Sequence, residues 1–147
     1  MYKSLRLYLK FLCMPAFVLF SCVPRMNDEG IHYANVFKRN YVCYEIIWGV
    51  EDSSIKDSIL NRNVKHKFLR IDIVKCIELP HDSIQSRNIF IDNLANFFYD
   101  NCKNKIDYEG IVIGFRDGIE SGDERYFYYL LDEKNKLKFV DFQFYNF

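Results

Sequence analysis

Five cysteines are the first residues to weigh for chemistry, at positions 13, 22, 43, 76 and 102. No two stand as C-x-x-C, so no redox motif is indicated. The histidines His32, His66 and His81 have no second His or Cys at ligand spacing, and no H-E-x-x-H occurs. Neither a metal nor a cofactor is therefore expected. Nucleophilic catalysis wants a serine on a G-x-S-x-G turn or a cysteine with a convergent histidine. Ser121 in "GIESGD" has a glycine beside it, which turn chemistry alone explains. The acid pairs Glu51-Asp52 and Asp123-Glu124 read as solvated turns, so no catalytic residue is assigned. The cluster Arg62, Lys65, His66, Lys67 and Arg70 offers positive charge to anionic lipid or cell-wall polymer. A solvated strand entry is the simpler account of it.

The elements that must position these residues begin near residue 40. "NYVCYEIIWGV" is rich in β-branched and aromatic residues and predicts a strand over 41–50. "SSIKDSILN" suggests a short helix over 54–61, capped by Ser53 or Ser54. In "KFLRIDIVKCIEL", Leu69, Ile71 and Ile73 alternate with Arg70 and Asp72, which predicts a strand over 67–78. The strongest helix pattern covers 83–102, with Asp82 or Ser83 as its cap. Ile91, Leu94, Ala95, Phe98 and Cys102 form one stripe there, with Phe90 and Phe97 at its edge. "YEGIVIGF", "YFYYLL" and "KLKFVDFQFYNF" supply three further strands, the last with a phase shift near Val140 that reads as a bulge. The expected fold is α+β: a single antiparallel sheet of about five strands with one main helix packed on one face.

The aromatics Tyr126, Phe127, Tyr128, Tyr129, Phe139, Phe142, Phe144, Tyr145 and Phe147 crowd the C-terminal strands. One face of that ribbon must cover the helix. The other suits a protein partner, because tyrosine-rich faces recur in recognition, unless the tyrosines only stabilise the sheet.

The first 22 residues have a different texture. Lys3, Arg6 and Lys10 precede an uncharged, mostly apolar run from Phe11 to Phe20. A spanning helix needs about 20 apolar residues, so this run is too short. A positive start with a short apolar run is the pattern of a secretory signal. Pro15 and the lack of an amphipathic stripe argue against a core helix. At its end Leu19, Phe20, Ser21 and Cys22 stand in order. This segment resembles the lipobox of bacterial lipoproteins, although Phe20 is bulkier than is usual there. The resemblance implies cleavage between Ser21 and Cys22 and a diacylglycerol on the Cys22 thiol, with the new amino group often acylated. It implies no molecular activity.

By that resemblance residues 1–21 are a signal peptide and Cys13 is discarded with it. Residues 22–36 are the lipidated N-terminus and a tether, since "VPRMNDEGIHYANV" shows no sustained period. Residues 37–147 are the single domain. Three cysteines remain after processing: two could pair, leaving one free, or all three could be buried thiols. Without residues 1–21 the formal net charge falls from zero to about −3, which gives no footprint for nucleic acid. The function expected is a non-catalytic binding or accessory protein, an immunity-type factor among the forms this could take, held at the bacterial cell envelope by membrane lipid through acylated Cys22. The outer membrane or periplasmic side is favoured over the cytoplasm. Its rivals are a small envelope hydrolase or isomerase with a site between helix and sheet, and a cytosolic domain.

Overall fold

The structure, a computed structural model, describes residues 23–57, 61–79, 84–116 and 123–145. The described elements run α1 (Asp28–Asn40), β1 (Cys43–Asp57), β2 (Arg62–Cys76), α2 (Ile89–Asp100), β3 (Gly110–Arg116), β4 (Glu124–Leu131) and β5 (Leu137–Tyr145). The five strands form one sheet in sequence order, and both helices pack on one of its faces.

The chain is α+β, but the sheet is mixed rather than wholly antiparallel. β2 and β3 are parallel, while the other three pairs are antiparallel. The reason is the helix between them. A tight turn reverses direction, whereas a crossover through α2 returns the chain to the end it left. The short helix expected over 54–61 is likewise replaced. β1 continues through Asp57 and pairs with β2 as far as Asp57↔Arg62. A cross-strand ladder, with Ile55 buried against Phe68 and Tyr128, outweighs a weak capping signal at Ser53. Residues 58–60 lie outside the described ones.

α2 begins at Ile89 rather than near 83. Asn88 caps it, its side chain accepting from the amides of Phe90 (3.0 Å) and Ile91 (3.2 Å). The expected caps Asp82 and Ser83 lie outside the described residues. The apolar stripe is as read. Ile91, Leu94, Ala95 and Phe98 are all at most 1% exposed and meet Leu69, Ile71 and Ile73 of β2, Ile111 and Ile113 of β3, and Phe127 and Tyr129 of β4. Each large apolar side chain so buried contributes roughly 1.5–3 kcal/mol.

The expected tether is mostly a second helix, and one main helix becomes two. α1 occupies residues 28–40, and its Gly30, Ala34 and Phe37 are buried. Asn27 caps it through Gly30 N at 2.8 Å. Asp28 and Glu29 lie in its first turn and Lys38 and Arg39 in its last, as the helix dipole favours. Tyr33 packs on Phe97 with ring centroids 4.1 Å apart, and Phe37 reaches Phe90 at 6.1 Å. The folded unit therefore includes the described residues from Val23 onward, not only those after 37. The tether reading failed because Gly30 and Ala34 carry little hydrophobic signal. Gly30 is needed for its size: a Cβ there would lie 3.1 Å from Asn101 Cβ. Asn101 in turn accepts from the Asn27 amide at 2.9 Å and, through its side chain, from Asn27 Nδ2 at 2.8 Å.

A disulfide joins Cys43 at the start of β1 to Cys76 at the end of β2, 33 residues apart in sequence. Closing a loop of that length stabilises a domain by about 3–4 kcal/mol. Cys102 is free and buried. The bulge expected near Val140 is present: Tyr128 pairs with Asp141 and Tyr129 with Phe139, so Val140 is the extra residue.

Candidate functional site on the open sheet face

Strand alternation sends every second residue away from the helices. On β2 those are Phe68, Arg70 and Asp72, opposite the buried Leu69, Ile71 and Ile73. Register then sets Asp72 beside Gly114, Tyr126 and Gln143 in one row across four strands. Val74, Arg116, Glu124 and Tyr145 make the next row. The result is a polar cluster on the face opposite both helices, in a groove of about 330 Å³.

Arg70 is its hub. Its Nε donates to both Asp72 oxygens at 3.0 Å, Nη1 to Glu51 Oε2 at 3.0 Å, and Nη2 to the Tyr126 hydroxyl at 2.9 Å. The guanidinium also stacks over the Tyr126 ring, 4.9 Å from its centroid. Tyr126 donates to Glu124 Oε2 at 2.7 Å, and Arg116 Nε donates to Glu124 Oε1 at 2.9 Å. Tyr128 donates to Glu51 Oε1 at 2.8 Å, and Ser53 also bonds to Glu51. At the rim, Tyr145 donates to Gln143 Oε1 at 2.6 Å. Three carboxylates thus face two guanidiniums, with the Tyr126 phenol bridging Arg70 to Glu124 and the Tyr128 phenol donating to Glu51.

Burial governs the electrostatics. Asp72 is 7% exposed. Burial raises its carboxyl above the usual aspartate range, with Arg70 and Arg116 offsetting part of the rise. Burial also raises the Tyr126 and Tyr128 phenols, helped by the carboxylates that they face. They are neutral donors at physiological pH. Burial pushes Glu124 up, but Tyr126 and Arg116 bring it net below its usual value. Such a cluster holds its donors and acceptors in fixed directions, which is what recognition of a polar partner requires. Gly114 makes room for it: a Cβ there would fall 2.5 Å from Asp72 Oδ1 and 2.6 Å from Tyr126 Cε1.

The aromatic C-terminal strands divide as their alternation implies. Phe127, Tyr129 and Phe139 face the helices, while Tyr126, Tyr128 and Tyr145 belong to the open face. The basic cluster does not stay together. Arg70 enters the polar network, His66 Nδ1 lies 2.7 Å from Glu109, Lys67 sits over the Tyr108 ring, and Arg62 and Lys65 are exposed. His32 is exposed on α1. Cys22, Ser21, His81, Ser121 and Phe147 lie outside the described residues. Among the described residues no three His, Cys, Asp or Glu side chains converge as metal ligands would, and no helix is long and apolar enough to cross a membrane.

The reading from sequence missed Glu51, Arg70, Asp72, Arg116 and Glu124 as a group. The available signal was "LRIDI", in which two opposite charges share one face of an otherwise apolar strand. No protein-family model, curated protein or solved structure matches the chain.

Proposed function

We propose that this chain is an exported bacterial lipoprotein, anchored to membrane lipid through Cys22 at the cell envelope, that works by binding a partner on its open sheet face. The observation that carries the export reading is the Cys43–Cys76 disulfide. Such bonds persist in oxidising compartments and are rare in the cytosol, so the pair agrees with the signal-like first 21 residues. Binding is favoured over catalysis by the state of the open-face groups. The phenols are held protonated and the carboxylates accept from arginine or tyrosine. Tyrosine and arginine are also the side chains enriched where proteins recognise one another.

The test is acylation in the native host. With a clickable fatty acid, the wild-type chain should be labelled and its mature N-terminus should be a modified residue 22. Cys22→Ser should abolish labelling and leave residues 1–21 attached, because a hydroxyl cannot carry the thioether. Cys13→Ser should change neither. An intact Met1 start, or an unmodified Cys22 inside an internal peptide, would overturn the proposal.

A further inference from the structure

The first described residues are fixed against the far end of α2. Residues 23–26 run beside 102–104: Met26 pairs with Cys102, Lys103 N donates to Arg25 O at 2.7 Å, and Arg25 N donates to Asn104 Oδ1 at 3.0 Å. Asn104 Nδ2 donates to the Val23 carbonyl at 3.3 Å. One peptide unit separates Val23 from Cys22, about 3.8 Å between Cα atoms. An anchor on Cys22 therefore has no spacer between the lipid and the packed chain.

We infer that the end of the domain built from Val23, Arg25, Lys103 and the 3-10 turn Lys105–Asp107 lies against the bilayer, with Ile106 seated in the headgroup layer. This rests on the Cys22 lipidation proposed above. Ile106 is 92% exposed and Val23 55% exposed. Ile106 is only two residues from the Asn104 that holds Val23, at most roughly 7 Å along the chain. The headgroup region on each side is about as deep as that. The charges at this end of the domain are mixed, Arg25, Lys103 and Lys105 against Asp28, Glu29, Asp100 and Asp107, with Lys105 Nζ on Asp100 at 2.9 Å. An exposed apolar tip close to the point where an acylated residue 22 joins the packed chain fits the membrane interface. Ile77, 75% exposed, supplies the contrast. Its amide donates to Val42 just past the end of α1, and α1 starts beside Asn101. The 13 residues of α1 put roughly 20 Å between the two ends.

The full chain, lipidated in its host, would be placed in phosphatidylethanolamine–phosphatidylglycerol vesicles with brominated acyl chains. Trp48→Phe removes the one native tryptophan, and Ile106→Trp or Ile77→Trp restores one at an exposed site. Bromolipid should quench the residue-106 fluorescence at least twofold and leave residue 77 unchanged. Equal signals at both positions, with mass spectrometry showing acylated Cys22, would overturn the docking and leave the anchor standing. Unacylated Cys22 in these samples would overturn the anchor and the docking together.

Discussion

At the scale of single residues, Asp92 links three parts of the molecule. It lies in the first turn of α2 and accepts from Arg87 Nε and Nη2, each at 2.9 Å, and from the buried Tyr129 hydroxyl at 2.7 Å. Arg87 is the main cause that holds its carboxyl below the usual aspartate value, with Tyr129 adding to it. A depressed folded-state pKa means stability that is present above the unfolded value, near 4, and is lost as pH falls through the folded one. Asp92→Ala should cost about 1.5–3 kcal/mol at neutral pH, because charged hydrogen bonds vanish and the Tyr129 hydroxyl loses its acceptor. Urea midpoints should show the gap to wild type narrowing between pH 5 and pH 2. A gap constant with pH would mean that the carboxylate charge contributes nothing. In the sequence Asp92 is only a polar residue off the apolar stripe. Its role depends on Tyr129, 37 positions away, and no local spacing encodes that contact.

At the scale of elements, α1 decides whether the sheet has a complete cover. Phe37 is 4% exposed and Ala34 5%, and α1 shields Phe90, Phe97 and Phe98 of α2. Losing one buried Phe side chain typically costs roughly 3–5 kcal/mol, a large share of the 5–15 kcal/mol that holds a domain together. A chain beginning at residue 23 should unfold cooperatively on heating, by calorimetry. One beginning at residue 41 should be insoluble or melt without a sharp transition. Equal melting of the two chains would show that α1 is dispensable. The same scale shows where local patterns sufficed. The α2 stripe and the Val140 bulge were readable because each is a departure or repeat within one element. α1 was hidden because two of its buried residues, Gly30 and Ala34, are small, and its aromatic contacts Tyr33 and Phe37 fall on either side of the expected boundary at 37.

At the scale of the whole molecule, the two sheet faces differ in chemistry. The helical face is apolar and buried. The open face carries the polar cluster, with Tyr145 at its rim 43% exposed. If the open face is the binding surface, a photo-activatable phenylalanine replacing Tyr145 should give a discrete adduct in cells carrying the anchored protein. The same group replacing Glu29, exposed on the helical side, should give none. Gel analysis after irradiation reads the difference, and matching adduct patterns at the two sites would remove the open face from that role.

What the sequence determined by itself was local. Alternating residues in 67–73 and 110–116 made strands, and a stripe at helical spacing made α2. A basic start, a short apolar run and Leu19-Phe20-Ser21-Cys22 set the expectation of an anchored, exported chain. The tertiary structure alone decided the parallel pairing of β2 with β3, the place of α1, and the cluster that Arg70 organises. Parallel pairing follows from where a crossover delivers the chain, which strand composition does not state. The cluster gathers Glu51, Arg70, Asp72, Arg116, Glu124 and Tyr128 from four strands. The charged members looked like ordinary solvated residues in their own segments, because charges become neighbours only when register sets one strand beside the next.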